Sequence, residues 1–200
     1  SVPLPDDHTA PQPNSGISFV FFLPGVGEVL RLNGRVLRSD PVVVVNVEQA
    51  FVHCAKAIQR SRLWHTVESD DTEIDSTAEA DRPRSLDDPL VADFFAASPF
   101  LAVSSWAADR SSDTSPRGDR PGFVQVLDAH TIAIPDRKGN KRADTFHNLV
   151  ENDQISLAAL VPGRSTVLHL SGTGYMSDDP DLLTTMQIKG VGPHGALVIH

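Results

Sequence analysis

The amino-acid sequence predicts a mainly β protein, an antiparallel barrel with a few short crossing helices, and three observations indicate this fold class. With 200 residues and 40% hydrophobic side chains, the chain is large enough to bury a core. Its apolar runs are short, and turn residues such as Pro-Gly separate them. One pair of these runs also occurs twice, which is typical of a protein built from repeated units.

The repeated pair relates residues 17–39 to residues 155–177, at a constant offset of 138 positions and without a gap. Pro24-Gly25 in the first stretch matches Pro162-Gly163 in the second, and Gly34 matches Gly172. Apolar positions coincide easily by chance, whereas Pro-Gly and a further glycine at fixed spacing do not. We therefore interpret the two stretches as copies of one unit.

Each copy has the pattern of a β-hairpin. An apolar strand ends at Pro-Gly, which suits a turn. In the first copy the next strand alternates and places on one side Val29, Arg31 and Asn33. Gly34 and Gly172 suit a bulge or a tight bend within a barrel wall. A third strand is expected at 42–47 in the first copy and at 196–199 in the second.

Three short helices and three further strands complete the prediction. Residues 48–62 bring apolar side chains, Cys54 among them, onto one face at steps of three and four. Asp88-Pro89 is typical of a helix start, and that helix continues to residue 97. Asn140 is expected to cap a third helix that ends near residue 152. The strands between these helices are predicted at 100–105, 123–127 and 131–134.

The charge of the chain is acidic and unevenly distributed. Lys and Arg number 17 against 26 Asp and Glu, a net charge of −9, which argues against general nucleic-acid binding. Nine of the acidic residues lie between positions 65 and 88, against two arginines. We therefore divide the chain into a partial repeat at 14–64, an acidic flexible linker at 65–87 and a fuller repeat at 88–200.

The sequence carries no signature of a membrane span or of a metal site. Its longest apolar runs are far too short to cross a bilayer. The single cysteine, Cys54, excludes an internal disulfide framework and a multi-cysteine zinc site. The histidines lack HxxxH or HExxH spacing. We expect a cytoplasmic protein without membrane, nucleic-acid or metal partners.

The densest polar cluster spans residues 134–142, where a predicted strand ends and a predicted helix begins. A helix N-terminus presents free N–H groups and partial positive charge, which favour a phosphate, and Lys141 and Arg142 would then be its direct contacts. The alternative is a charged surface turn, and the residues alone do not decide between the two. A second cluster, 114–120, precedes it by one hairpin length, so the two clusters are expected on adjacent strand ends.

These motifs resemble a known family. The stretches SPRGDRPGFVQVL, IPDRKGNKRADTFHNLVEN and the VPG hairpin look like the FMN-binding split barrel of pyridoxamine 5'-phosphate oxidase-like proteins. LPGVGEVLRLNGR with FVHCAKAIQRSRLW looks like the latter half of the same module in bacterial tandem forms. The resemblance implies a six-stranded antiparallel split barrel at 88–200, a partial second copy at 14–64, and FMN held at an interface between two barrels.

The same resemblance implies the cofactor site residue by residue. A polar residue followed by two basic residues receives the FMN phosphate in the family, and the matching positions are Asn140, Lys141 and Arg142. Residues that face the flavin ring and the ribityl chain correspond to Ser115, Pro116, Arg117, Ile134 and Pro135. Positions that approach the flavin across the interface correspond to Arg62 and Trp64, with Lys56 as a further cation.

The function implied is that of an FMN-dependent oxidoreductase with a small-molecule redox substrate. The residues with which pyridoxamine phosphate oxidases grip their substrate have no match, so that reaction is not expected. The alternative is a non-catalytic module that binds or carries a flavin, a deazaflavin or haem. A lone partial repeat leaves strand edges and an apolar face uncovered, so we expect it to dock on the fuller repeat as a pseudo-two-fold pair within the chain. A homodimer is also expected, because the truncated strand edges stay available for pairing.

Overall fold

The structure is a computed structural model, and it describes residues 10–64 and 85–200. The first of these parts forms three strands and a helix: β1 (Gly16–Phe22), β2 (Val29–Arg38), β3 (Val44–His53) and α1 (Lys56–Ser61). The second part begins with α2 (Pro89–Ala97), β4 (Phe100–Trp106), β5 (Ser112–Gly118), β6 (Gln125–Asp128) and β7 (Thr131–Pro135). It continues with α3 (Asp144–Glu151), β8 (Gln154–Leu160), β9 (Val167–Ser177), α4 (Pro180–Thr185) and β10 (Ala196–Ile199).

The strands form two antiparallel sheets, as the sequence predicted. The larger has the order β5-β4-β8-β9-β10-β7-β6 and forms a split barrel, and the smaller has the order β1-β2-β3. The barrel core is apolar and draws on α2 and on several strands, with fully buried side chains that include Phe95, Leu101, Ile132, Ile155 and Leu197. A mainly β fold with short helices is therefore confirmed.

A second apolar cluster joins the small sheet to the barrel. Phe22 of β1 meets Phe100 of β4 edge to face, with ring centroids 5.1 Å apart. Val29 and the α1 residues Ala57 and Ile58 are buried in the same cluster. Because α1 and the β1–β2 hairpin share this cluster with β4, they form one packed layer against the barrel.

The two predicted hairpins have the same register. Ile17 pairs with Gly34 across β1 and β2, and Ile155 pairs with Gly172 across β8 and β9, so both partners shift by the repeat offset. Each hairpin turn contains a Pro-Gly whose glycine has positive φ, 77° at Gly25 and 86° at Gly163. The two hairpins are thus equivalent in register and in turn.

A third strand passes close to the equivalent glycine of each hairpin, β3 at Gly34 and the end of β10 at Gly172. A Cβ on Gly34 would overlap the carbonyl oxygen of Asn46, and a Cβ on Gly172 would overlap that of His200. The β2–β3 register shifts at Gly34, which fits the expected bulge. The β9–β10 register runs from Gly174 to Ser177 without a shift. A side chain at either position would therefore prevent the third strand from approaching the hairpin this closely.

The predicted helix over 48–62 is wrong in its first half. β3 continues to His53, and α1 covers six residues only, from Lys56 to Ser61. The reason is that β2 has ten residues and offers backbone partners as far as Val29, which pairs with His53. These ladder hydrogen bonds outweigh the helical periodicity of the segment. Cys54 consequently lies between β3 and α1 rather than on a helix face.

β5 was not predicted as a strand, because its sequence, SDTSPRG, is polar throughout. In the structure it pairs with β4 and is buried over most of its length. The small sheet covers it, and Ser18 of β1 lies 2.5 Å from Thr114, hydroxyl to hydroxyl. Hydroxyls and a carboxylate that bond to each other allow a polar strand to be buried here.

The predicted linker ends within the barrel. Ser85 and Leu86 donate hydrogen bonds to the carbonyl oxygen of Ala129, and Leu86 is buried in the barrel core. Residues 65–84 lie outside the described residues. The described end of the predicted linker is therefore part of the packed domain.

The α2 start agrees with the prediction: Asp88 is the N-cap, and its carboxylate accepts a hydrogen bond from the amide of Leu90. The predicted role of Asn140 as a helix cap is wrong, since α3 begins at Asp144 with Ala143 as N-cap. Asn140 instead accepts a hydrogen bond from the amide of Arg142, 3.0 Å away, and closes a turn ahead of the helix.

Candidate functional site

A buried polar cluster lies where β2 faces β5. The Arg31 guanidinium is fully buried and forms an ion pair with Asp113. Asn33 donates to the same carboxylate over 3.0 Å, and Ser115 donates to its second oxygen over 3.0 Å. The alternation that placed Arg31 and Asn33 on one side of β2 is therefore correct, and that side faces the barrel.

His53 at the end of β3 joins this cluster to the β7–α3 loop, which we define as residues 136–143. Its Nδ1 lies 3.0 Å from Arg31 Nη1 and 3.2 Å from Asn140 Nδ2. Both neighbours are donors, so Nδ1 carries no proton and accepts both bonds. Burial, followed by the positive charges of Arg31, Arg117 and Arg142, lowers the pKa of His53 to about 4. His53 is therefore a neutral acceptor at pH 7.

A cavity of about 370 Å³ opens beside this cluster. Its walls are the β3–α1 junction, the end of β5, the β7–α3 loop and the first turn of α3. A volume of this size is in the range of small-molecule sites. A second, more open cavity of about 360 Å³ adjoins it and shares as lining residues Asp119, Phe123 and Arg137.

The cavity lining is strongly cationic in a protein whose net charge is −9. Two carboxylates, Asp119 and Asp136, face seven basic side chains: Lys56, Arg60, Arg117, Arg137, Lys138, Lys141 and Arg142. Each carboxylate is held by an arginine, Asp136 by Arg117 and Asp119 by Arg137, both at 2.8 Å. The lining therefore keeps a surplus of positive charge that favours an anionic ligand.

Two residues of α1 hold the β7–α3 loop in place. Lys56 Nζ donates to the carbonyl oxygen of Gly139 over 3.3 Å. Arg60 donates through Nη1 to the Lys138 carbonyl over 3.1 Å and through Nε to the Gly118 carbonyl over 2.9 Å. Burial lowers the pKa of Arg60 from its ordinary value. One guanidinium thus joins the two polar clusters that the sequence placed on adjacent strand ends.

Arg142 is fixed before any ligand binds. Its guanidinium carbon lies 3.8 Å from the ring centroid of Phe51 on β3. Its Nε donates to Asp144 over 2.7 Å, and Nη2 donates to the other carboxylate oxygen over 3.2 Å. The arginine is therefore oriented by β3 and α3 together.

The structure brings most of the predicted site residues to one cavity: Lys56, Ser115, Pro116, Arg117, Pro135, Asn140, Lys141 and Arg142. Ile134 lies in the barrel core instead. Arg62 is the C-cap of α1, and Trp64 donates its indole N–H to the Val26 carbonyl over 3.0 Å, so neither lines the cavity.

Sequence reasoning missed His53 and Arg60. Arg60 lies one helical turn from the predicted Lys56, on the same face of α1, and that spacing could have indicated it. His53 lay within a segment that was interpreted as a helix, and nothing in the pattern of that segment marks His53 as a site residue. Its contact with Asn140 crosses 87 positions of sequence.

The sequence model of the pyridoxamine 5'-phosphate oxidase family matches residues 88–199. The chain belongs to this family. The match covers the barrel from α2 to β10 and leaves β1–β3 and α1 outside it. Membership implies a protein that binds a small-molecule ligand.

Solved structures similar to this chain include two crystal structures of HupZ from Group A Streptococcus, at 15% and 16% sequence identity. They cover 56% and 54% of this chain and 91% and 83% of their own, with a TM-score of 0.44 each. A Lactobacillus delbrueckii protein, provisionally assigned as a pyridoxamine 5'-phosphate oxidase, is 17% identical, with coverages of 58% and 93% and a TM-score of 0.43. No curated protein matches the chain.

None of the helices that the structure describes is long and apolar enough to cross a membrane. Within residues 10–64 and 85–200, no three His, Cys, Asp or Glu side chains come together as metal ligands would.

Proposed function

We propose that the protein binds FMN in the cationic cavity. One observation carries the proposal: Lys56, Arg60, Lys138 and Lys141 line the cavity, and no carboxylate of the described residues lies within ion-pairing distance of them. A phosphate monoester, with a charge of about −1.5 to −2 at pH 7, would neutralise part of this surplus. The donor set therefore fits the phosphate end of FMN.

The residues divide between the two ends of such a ligand. Asn140, Lys141 and Arg142 of the loop would hold the phosphate, together with Lys56, which reaches the loop. Ser115, Pro116 and Arg117 on β5, with Pro135 on β7, would lie along the ribityl chain and the ring. Bound flavin supplies the electron-transfer chemistry, and the protein supplies binding, orientation and positive charge.

We infer that the protein is an oxidoreductase. The residues that line the cavity do not specify its substrate. A carrier function is the second candidate, and one observation favours it: both carboxylates of the lining are held in ion pairs by Arg117 and Arg137. Neither carboxylate is then free to act as a general base. The cationic lining also suits a deazaflavin or the carboxylates of haem.

Titration of the ligand-free protein with FMN and with riboflavin tests the proposal, with flavin fluorescence as the readout. Lys141→Ala is expected to weaken FMN binding about tenfold, and the double variant with Arg142→Ala about a hundredfold, because charge-assisted hydrogen bonds are lost. Riboflavin binding is expected to stay unchanged. Arg38→Ala, an exposed cation of β2 outside the cavity, is the matched control.

Four outcomes would decide against the proposal or between its two forms. A protein that takes up no FMN refutes flavin binding, and equal losses of FMN and riboflavin move the phosphate site elsewhere. Mass spectrometry of the ligand released from native protein identifies a deazaflavin or haem. Steady oxidation of a reduced nicotinamide with oxygen by the loaded protein would exclude a carrier.

We also propose that the chain forms a homodimer through the outer face of the small sheet. Phe21, Leu30 and Val52 lie side by side across β1, β2 and β3 and are 44%, 40% and 66% exposed. A row of large apolar side chains on one sheet face favours association with a second copy. Light scattering after size-exclusion chromatography measures the mass, and Val52→Ser with Leu30→Ser is expected to shift it to that of one chain. A wild-type mass of one chain would refute the dimer.

A further inference from the structure

The β7–α3 loop is held by a segment distant from it in sequence. Four side chains between residues 51 and 60 contact loop residues 138–142: Phe51, His53, Lys56 and Arg60. Phe51 and His53 belong to β3, and Lys56 and Arg60 belong to α1. They lie outside the range that the family model matches, 88–199. The loop therefore depends on a part of the chain that the family match does not include.

We propose that His53 and Arg60 are positioning residues, which hold the β7–α3 loop in the shape that binds an anion. The proposal rests on the proposed phosphate site, since that site is formed by the same loop. Arg60 acts through two backbone carbonyls, and His53 acts through the side chain of Asn140.

Arg60 controls the direction of two carbonyls, that of Lys138 in the loop and that of Gly118 at the end of β5. A carbonyl oxygen that faces an anion repels it, whereas a carbonyl bonded to a guanidinium is turned away and partly neutralised. The Lys138 and Gly118 carbonyls both accept from Arg60, through two different nitrogens of one planar group. A lysine has one nitrogen on a flexible stem and does not reproduce this fork.

The position of Arg60 is fixed by Gly118. A Cβ on Gly118 would overlap the carbonyl oxygen of Ala57, so α1 lies directly against the backbone of β5. Ile58, in the middle of α1, is buried in the cluster between sheet and barrel. Arg60 therefore projects from a helix that is fixed on two sides.

His53 fixes the orientation of the Asn140 amide. The Nδ2 group of Asn140 donates to His53, and its Oδ1 accepts from the amide of Arg142 over 3.0 Å. Both ends of the amide are thus used, which sets the turn that contains Lys141. Lys141 has a positive φ of 64°, a conformation that a lysine adopts only where neighbours impose it.

The experiment compares Arg60→Lys, Arg60→Gln, His53→Ala and His53→Gln with Arg38→Gln as control, using dissociation constants for FMN and for riboflavin. Arg60→Lys keeps the charge but cannot donate to both carbonyls from one planar group. It is therefore expected to weaken FMN binding about fivefold to tenfold, as much as Arg60→Gln. His53→Ala is expected to weaken FMN binding by a similar factor. His53→Gln, whose amide oxygen accepts from Asn140, is expected to restore most of the affinity.

Riboflavin affinity and the melting temperature separate positioning from a general structural role. A positioning residue changes the ratio of FMN to riboflavin affinity, whereas a damaged fold lowers both together. An Arg60→Lys variant with wild-type FMN affinity would mean that only the charge matters, and would overturn the proposal for Arg60. If His53→Gln does not restore the FMN affinity that His53→Ala loses, the proposal for His53 is overturned.

Titration with inorganic phosphate keeps this inference distinct from the proposed function. If the protein binds phosphate and not FMN, the proposed function fails. The loss of phosphate binding in Arg60→Lys then still supports positioning. If the wild-type protein binds neither, the inference fails with the proposed function.

Discussion

Arg31 of β2 and Asp113 of β5 form a buried ion pair that joins the small sheet to the barrel, and their side chains are 0% and 6% exposed. Asn33 and Ser115 supply further hydrogen bonds to the carboxylate. The contact between the two parts of the chain is therefore polar at its centre and apolar beside α1. A buried charge without its partner is unfavourable, so the two parts depend on each other for stability.

Removal of one partner of this pair is expected to destabilise the protein strongly. Asp113→Asn leaves the Arg31 charge buried without a carboxylate, and the free energy of unfolding should fall by about 3–5 kcal/mol. Urea denaturation followed by circular dichroism measures it. The exposed pair of Arg35 and Asp109, 2.9 Å apart, provides the control, and Asp109→Asn should leave stability close to that of wild type. Equal effects at the two sites would contradict the prediction.

Stability is expected to fall as the pH decreases from about 6.5 to about 4, because of His53. Its folded-state pKa of about 4 lies below the ordinary 6.5, so over this range the unfolded chain binds the proton and the folded chain does not. The full shift corresponds to about 3 kcal/mol. Burial and the charges of Arg31, Arg117 and Arg142 lower the pKa of His53, and Asp144 opposes them.

His53→Gln isolates this contribution, since glutamine does not titrate. The difference in unfolding free energy between wild type and variant should decrease towards pH 4 and level off below it. Other histidines and the carboxylates are common to both proteins and cancel in the difference. Parallel curves for the two proteins would show that His53 takes up its proton equally in the folded and unfolded states.

Asp144→Asn is expected to strengthen FMN binding. The Asp144 carboxylate pairs with Arg142 at 2.7 Å beside the proposed phosphate site, where its negative charge repels an anion. Its removal should increase FMN affinity about threefold to tenfold and leave riboflavin affinity unchanged. Asp93→Asn, an exposed residue of α2 that does not line the cavity, changes the net charge equally and is the control. A weaker affinity would contradict the prediction and would mean that the orientation of Arg142 by Asp144 matters more for binding than the repulsion between Asp144 and the anion.

The sequence predicted the fold class and most strands because hydrophobic alternation and Pro-Gly turns are local signals. It also predicted that the clusters around Ser115 and Asn140 would meet. It did not predict β5, whose polar residues are buried because β1 and β2 cover them. It did not predict His53 or Arg60 either, because their contacts with Asn140 and Lys138 depend on how the small sheet packs, which is a tertiary property.

Alanine at the equivalent glycines of the two hairpins is expected to destabilise the protein at both positions. At Gly34 and Gly172 a Cβ would overlap a backbone carbonyl of the third strand, which belongs to Asn46 and to His200 respectively. Because a backbone carbonyl in a sheet cannot rotate away as a side chain would, the third strand must shift, and each variant should lose about 1–3 kcal/mol of unfolding free energy. Gly192→Ala is the matched control, since the nearest atom to its Cβ is 3.7 Å away and its stability should be close to that of wild type. Gly34→Ala should also lower FMN affinity, because it displaces β3 and with it His53, and in this effect it should differ from Gly172→Ala. Chemical denaturation and FMN titration of all three variants measure the two effects. A stable Gly34→Ala protein would mean that β3 passes Gly34 at a greater distance.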